Sequence, residues 1–90
     1  MRRILSAITQ PAFDKAFAKL DPDIKRAFIA RRNLLFIDND HPLLNIHKLH
    51  GRWSGFFSIN VTGDYRAIFK TEGWIAIFFD IGTHADLYDR

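Results

Sequence analysis

Four histidines and no cysteine define the chemistry open to this chain of 90 residues. Without a thiol there is no disulfide scaffold, no thiolate metal site and no cysteine nucleophile, so any reaction must run on proton transfer and charge stabilisation. His47 and His50 lie three apart in His47-Lys48-Leu49-His50, and His84 follows Gly82-Thr83. Imidazole suits either proton role because it titrates near neutrality. Asp64, after Gly63, reads as an ordinary turn aspartate. Arg66 offers a fixed, permanently charged fork that matches phosphate, against the plainer reading of a surface ion pair. No metal or other cofactor is expected: the neighbours of His47 and His50 read as loop or strand, and no third ligand lies close. The glycines form no phosphate-cradling loop, and Ser54 and Ser58 sit in strand-like sequence without the context of a serine triad.

Charge is informative by position. Thirteen Lys+Arg against ten Asp+Glu give only +3. Residues 46–70, however, carry Lys48, Arg52, Arg66 and Lys70 against Asp64 alone, with His47, His50, Trp53, Phe56 and Tyr65 interleaved. Cations for phosphates and ring faces for bases are what a single-stranded nucleic acid needs. The bland alternative is a solvated sheet edge beside core aromatics. Residues 71–90 run the other way, with Glu72, Asp80, Asp86 and Asp89 against Arg90. His41 reads as a loop residue before Pro42; protonating the other three histidines adds three charges to the +3, so RNA binding should strengthen as pH falls.

The elements that must position these residues follow from periodicity. A length of 90 leaves room for one domain, 1–90, whose small core the nine Phe can fill. Arg3 to Ile8 reads as a strand; the basic start resembles a signal peptide only briefly, because Gln10, Pro11 and Asp14 cut the apolar stretch short. No apolar run suffices to span a membrane, so a cytoplasmic protein with no membrane partner is expected. Thr9 can cap a helix with Pro11 in its first turn, and Phe13, Ala16, Phe17 and Leu20 fall on one face. Asp21-Pro22 opens a second helix with Ile24, Ala27, Phe28, Leu34 and Leu35 inside. From Arg52 the period becomes two: Phe57, Ile59 and Val61 point one way, Phe56, Ser58 and Asn60 the other. Tyr65 to Lys70 and the nearly continuous apolar Trp74 to Ile81 complete a three-strand meander, and Thr83 can cap a last turn from His84 to Tyr88. The expected fold is α+β, an N-terminal strand and helical hairpin packed on one face of a mainly antiparallel four-stranded sheet.

Four segments then carry a resemblance. Phe13-Asp14-Lys15-Ala16-Phe17-Ala18-Lys19-Leu20, His47-Lys48-Leu49-His50-Gly51-Arg52-Trp53-Ser54-Gly55, the stretch from Ser58 to Phe69 containing Gly63-Asp64-Tyr65-Arg66, and Ile81-Gly82-Thr83-His84-Ala85-Asp86-Leu87-Tyr88 occur in the order found in the RelE/ParE superfamily of bacterial toxin-antitoxin toxins, which the chain resembles over nearly its whole length.

The resemblance implies an mRNA interferase of the RelE/YafQ branch, a ribosome-dependent endonuclease that enters the ribosomal A site and cleaves the bound mRNA. In that chemistry a ribose 2′-OH attacks the adjacent phosphorus and the 5′-oxygen leaves, which requires a base, an acid and cations at the phosphate. Carried over residue by residue, His84 and His47 are acid–base candidates, Asp64 an orienting group or base, and Arg66 the phosphate ligand. Lys48 and Arg52 would contact the RNA backbone, and Tyr65 and Tyr88 would stack on or position a base; the plain reading of Tyr65 is core packing. His50 is a spare RNA-binding candidate. The implied partner is a cognate antitoxin protein, acidic or helical enough to cover the basic face, which makes any DNA contacts itself. One departure keeps a second class open: the YafQ branch has a further histidine where Asn60 stands, and the ParE branch, sharing the fold, inhibits DNA gyrase without cutting RNA. A non-toxic basic binding module is the third reading.

Overall fold

Pro11 and Pro22 each open a helix, where a missing N–H is no loss and the fixed φ suits the first turn. These are α1 (Pro11–Ala18) and α2 (Pro22–Ile37). The structure, a computed structural model, describes residues 1–88; Asp89 and Arg90, two of the C-terminal charges noted above, lie outside the described residues. The strands are β1 (Ser6–Thr9), β2 (His47–Lys48), β3 (Phe57–Asn60), β4 (Tyr65–Glu72) and β5 (Ile75–Thr83), and α3 (His84–Tyr88) follows β5 directly. They form one sheet in the order β1-β5-β4-β3-β2, antiparallel except where β1 runs parallel to β5. The α1–α2 hairpin lies in the connection that leads away from the parallel strand.

Both helices cover one face. Phe13 of α1 and Phe28 of α2 meet Phe78 of β5, with ring centroids 5.0 Å apart for Phe28–Phe78 and 5.8 Å for Phe13–Phe78. Phe57, Ile59, Val61, Ala67 and Phe69 supply the sheet side of this core, following the two-residue alternation of the strands. Each fully buried ring is worth about 1.5–3 kcal/mol, so the aromatic layer is the main source of stability in so short a chain. On the opposite face Ile68, Ile77 and Leu87 are buried outside that main cluster, and the Trp53 indole N–H donates to the Leu87 carbonyl at 3.2 Å. That hydrogen bond ties the segment around Trp53 to α3.

Three local expectations change. The first strand begins at Ser6 rather than Arg3: the Leu5 and Ser6 amides both turn to the Trp74 carbonyl, so the ladder starts there, although Ile4 is fully buried. Thr9 does not cap α1. Gln10 occupies the cap position, and the Thr9 hydroxyl instead donates to Asp14 Oδ1 at 2.6 Å. The sheet has five strands rather than four, because β2 pairs His47 with Ser58 and Lys48 with Phe57. Two residues are too few for periodicity to reveal a strand.

Candidate active site

β2, β3, β4 and the start of α3 converge on the face the α1–α2 hairpin leaves open. A cleft of about 370 Å³ is lined there by His47, Lys48, Arg66, His84 and Tyr88 from the candidate set, together with Asn45, Leu49, Ser58 and Asn60. Strand register explains the gathering: His47 lies opposite Ser58 across β2–β3, and Asn60 opposite Arg66 across β3–β4, so these side chains occupy neighbouring positions on one face.

His47 is exposed, and its Nδ1 lies 2.7 Å from the Asn45 carbonyl oxygen. A carbonyl only accepts, so this contact requires a proton on Nδ1, and the tautomer it selects is the one whose Nε2 lone pair is bare. Asn45 adopts φ 45°, left-handed backbone that asparagine tolerates. Arg66 is anchored through one nitrogen: Nη1 donates to the carbonyls of Thr62, Gly63 and Tyr65 at 3.0–3.1 Å. Among the described residues no further partner engages Nη2 or Nε, so the rest of the guanidinium edge is available to an anion. His84 and Tyr88, one helical turn apart, pack edge to face with ring centroids 4.7 Å apart.

The residues before His84 fix its position. The Asp86 amide donates to Thr83 Oγ1 at 3.2 Å and the Thr83 amide donates back to Asp86 Oδ2 at 3.1 Å, a reciprocal cap with aspartate in the usual glutamate place. A Cβ on Gly82 would stand 3.0 Å from the Asp86 Cβ, so glycine is what lets this turn close. Thr83 thus caps the last helix as its sequence suggests.

The remaining candidates lie elsewhere. Tyr65 faces the helices: it packs on the main core, as adjacent residues on a strand must point to opposite faces if Arg66 points to the cleft. Asp64 is exposed in the β3–β4 turn, its amide donating to Thr62 Oγ1, and does not line the cleft. Arg52, on the 3-10 turn Gly51–Trp53, holds its guanidinium 5.5 Å from the Trp53 ring centroid and is not among the residues lining this cleft. His50 lines an adjoining cleft. Ser58 and Asn45 were not singled out by sequence reasoning; alternation with Asn60 signals Ser58, and nothing local signals Asn45.

Chemistry separates this cleft from the larger one of about 500 Å³ beside α1 and α3. That one is lined by Tyr65, Asp80, Asp86 and Lys19 and offers carboxylates, which repel phosphate. Among the described residues the histidine cleft is lined by two imidazoles, a lysine and an arginine and by no carboxylate, a field that concentrates anions. Among the described residues no three His, Asp or Glu side chains are grouped to hold a metal ion, and no helix is long and apolar enough to cross a membrane.

No family model matches the chain, and no curated protein matches it. Solved structures do. Crystalline YafQ from E. coli superposes with TM-score 0.78 at 21% identity, covering 91% of this chain and 96% of YafQ. The HP0894 protein of Helicobacter pylori, solved in solution, gives 0.73 at 19% over 94% of this chain and 100% of its own. The RelE–RelB complex of Pyrococcus horikoshii gives 0.69 at 18%, covering 91% and 96%. On these superpositions, spanning nearly the whole of both chains, the protein has the RelE-like fold of the YafQ and RelE toxins.

Proposed function

We propose that this protein is the toxin of a type II toxin-antitoxin system and acts as a ribosome-dependent mRNA endonuclease. The observation that carries the reading is the meeting of His47, Arg66 and His84 on one cleft together with Lys48, with the His47 Nδ1 proton directed to the Asn45 carbonyl. His47 Nε2 takes the proton of a ribose 2′-OH, whose oxygen attacks the adjacent phosphorus. The P–O5′ bond breaks, and His84, protonated, gives its proton to the leaving 5′-oxygen, so the products are a 2′,3′-cyclic phosphate and a 5′-hydroxyl. Arg66, held by three carbonyls on one side, offers its free edge to the charge that builds on the equatorial oxygens. Lys48 draws in the RNA backbone, and Tyr88 steadies His84 or stacks on a base.

Asn60 lines the cleft beside Arg66 and contributes hydrogen bonding but no proton transfer. Two histidines therefore supply the acid and the base, without Asp64. Among the structural neighbours, E. coli YafQ forms a toxin-antitoxin complex with DinJ, and P. horikoshii RelE forms a complex with RelB. By analogy, a cognate antitoxin binds this chain in the cytoplasm and makes the operator DNA contacts.

Primer extension on messages from cells expressing the protein tests the reading. New cuts within translated codons, absent in His47→Ala, are expected. Arrested cells with intact messages and damaged DNA would overturn the nuclease in favour of gyrase inhibition, and unslowed growth would favour a non-toxic module.

A further inference from the structure

A second cleft, of about 400 Å³, adjoins the first and shares two of its walls, Lys48 and Leu49; His50, Ser54, Gly55 and Phe56 form much of the rest. Its volume is in the range of small-molecule sites, and its wall combines a cation, an imidazole, a hydroxyl and a ring. We propose that this cleft is a subsite for the nucleotide next to the scissile linkage, so that the RNA crosses Lys48 with its reacting phosphate in one cleft and a neighbouring base in the other. The proposal rests on the nuclease reading above and adds a second binding position to it.

Three observations support it. Continuity comes from the shared lining: Lys48 and Leu49 border both clefts, and a cation at that boundary is where a strand's intervening phosphate needs one. The Lys48 side chain is exposed. The cleft is also preformed. The Leu49 amide donates to the Phe56 carbonyl at 2.9 Å, the Phe56 amide donates to the Trp53 carbonyl at 3.0 Å, and Gly51 and Gly55 supply φ of +66° and +91° that other residues rarely adopt. Behind it, Phe56 is braced edge-on by Trp53 and Phe79, with centroids 5.2 and 5.0 Å away, so the loop does not have to be ordered by its ligand. Finally, the His50 ring is exposed on the wall and makes no hydrogen bond to the described residues, which leaves its face for stacking on a base.

The test uses short RNAs with 2′-deoxyribose at the attacking position, which bind without being cut. Affinities are measured by fluorescence anisotropy for the scissile dinucleotide and for trinucleotides extended by one residue on either side. Extension on one side should tighten binding roughly tenfold, the value of one stacking contact. In His50→Ala the gain from that extension should fall to near unity. Ser54→Leu, at another exposed wall position, should abolish it independently by filling the cleft. If the dinucleotide binds but neither extension helps, or if the gain survives in both variants, the subsite is overturned while the nuclease reading stands. Failure of every oligonucleotide to bind, together with uncut messages in cells, overturns both.

Discussion

The two faces of the sheet use the same strands differently. On the face covered by α1 and α2, alternate residues are Phe57, Ile59, Ala67, Phe69 and Phe78, and rings interlock across α1, α2, β4 and β5. On the other, the intervening positions of β3 and β4 carry Ser58, Asn60 and Arg66, and cover is limited to α3 and the Trp53 loop. The difference shows how a small domain separates tasks: burial on one face holds the strands in register, and that register holds polar groups in place on the other at no further cost to the core.

The sharpest way to break this comparison is Phe78→Ala, which removes a ring that touches Phe13, Phe28 and Phe69. It should cost roughly 5 kcal/mol, read as a lower urea midpoint, and abolish activity through unfolding. Next, His47→Ala should slow RNA cleavage about 10³-fold in a ribosomal cleavage assay while leaving the urea midpoint within about 0.5 kcal/mol of wild type. Loss of fold in that variant would show that the two faces are not separable. Arg66→Ala should cost about 10²-fold in cleavage, plus about 1 kcal/mol of stability from its carbonyl bonds in the β3–β4 turn; Arg66→Lys should restore little, lacking the fork. Lys48→Ala should weaken RNA binding and reduce the slope of log K against log salt by about 0.7, one single-strand phosphate contact. The smallest effect belongs to Trp74→Ser, in the β4–β5 turn and 59% exposed, which should move neither stability nor cleavage by more than about 0.5 kcal/mol.

Much of the fold was legible because burial imposes periodicity. Phe13 with Phe17, Phe28 with Leu35, and Phe57-Ile59-Val61 read directly as inner faces, and the Pro11 and Pro22 helix starts followed from proline chemistry. The site was less legible. His47, Lys48, Arg66, His84 and Tyr88 meet on one wall, whereas Tyr65 and Asp64, adjacent to Arg66 in sequence, do not join them. Alternation along β4 already implied that Tyr65 and Arg66 cannot serve the same face, and the resemblance to RelE-like toxins, which treats the motif as a run, obscured it. His50 differs again: three residues from His47, it lies past the two-residue β2, in a neighbouring cleft.

The sequence by itself determined the two long helices and the strands of the meander with their inner faces, the absence of thiol chemistry and the Thr83-capped turn from His84 to Tyr88, because each depends on local sterics, capping or hydrophobic period. Only the tertiary structure decided that His47 and His84 share a cleft, that Asn45 sets the His47 tautomer and that Arg66 is steadied by the β3–β4 turn. Those facts depend on strand pairing between residues distant in the chain, and pairing is fixed by how the whole core closes.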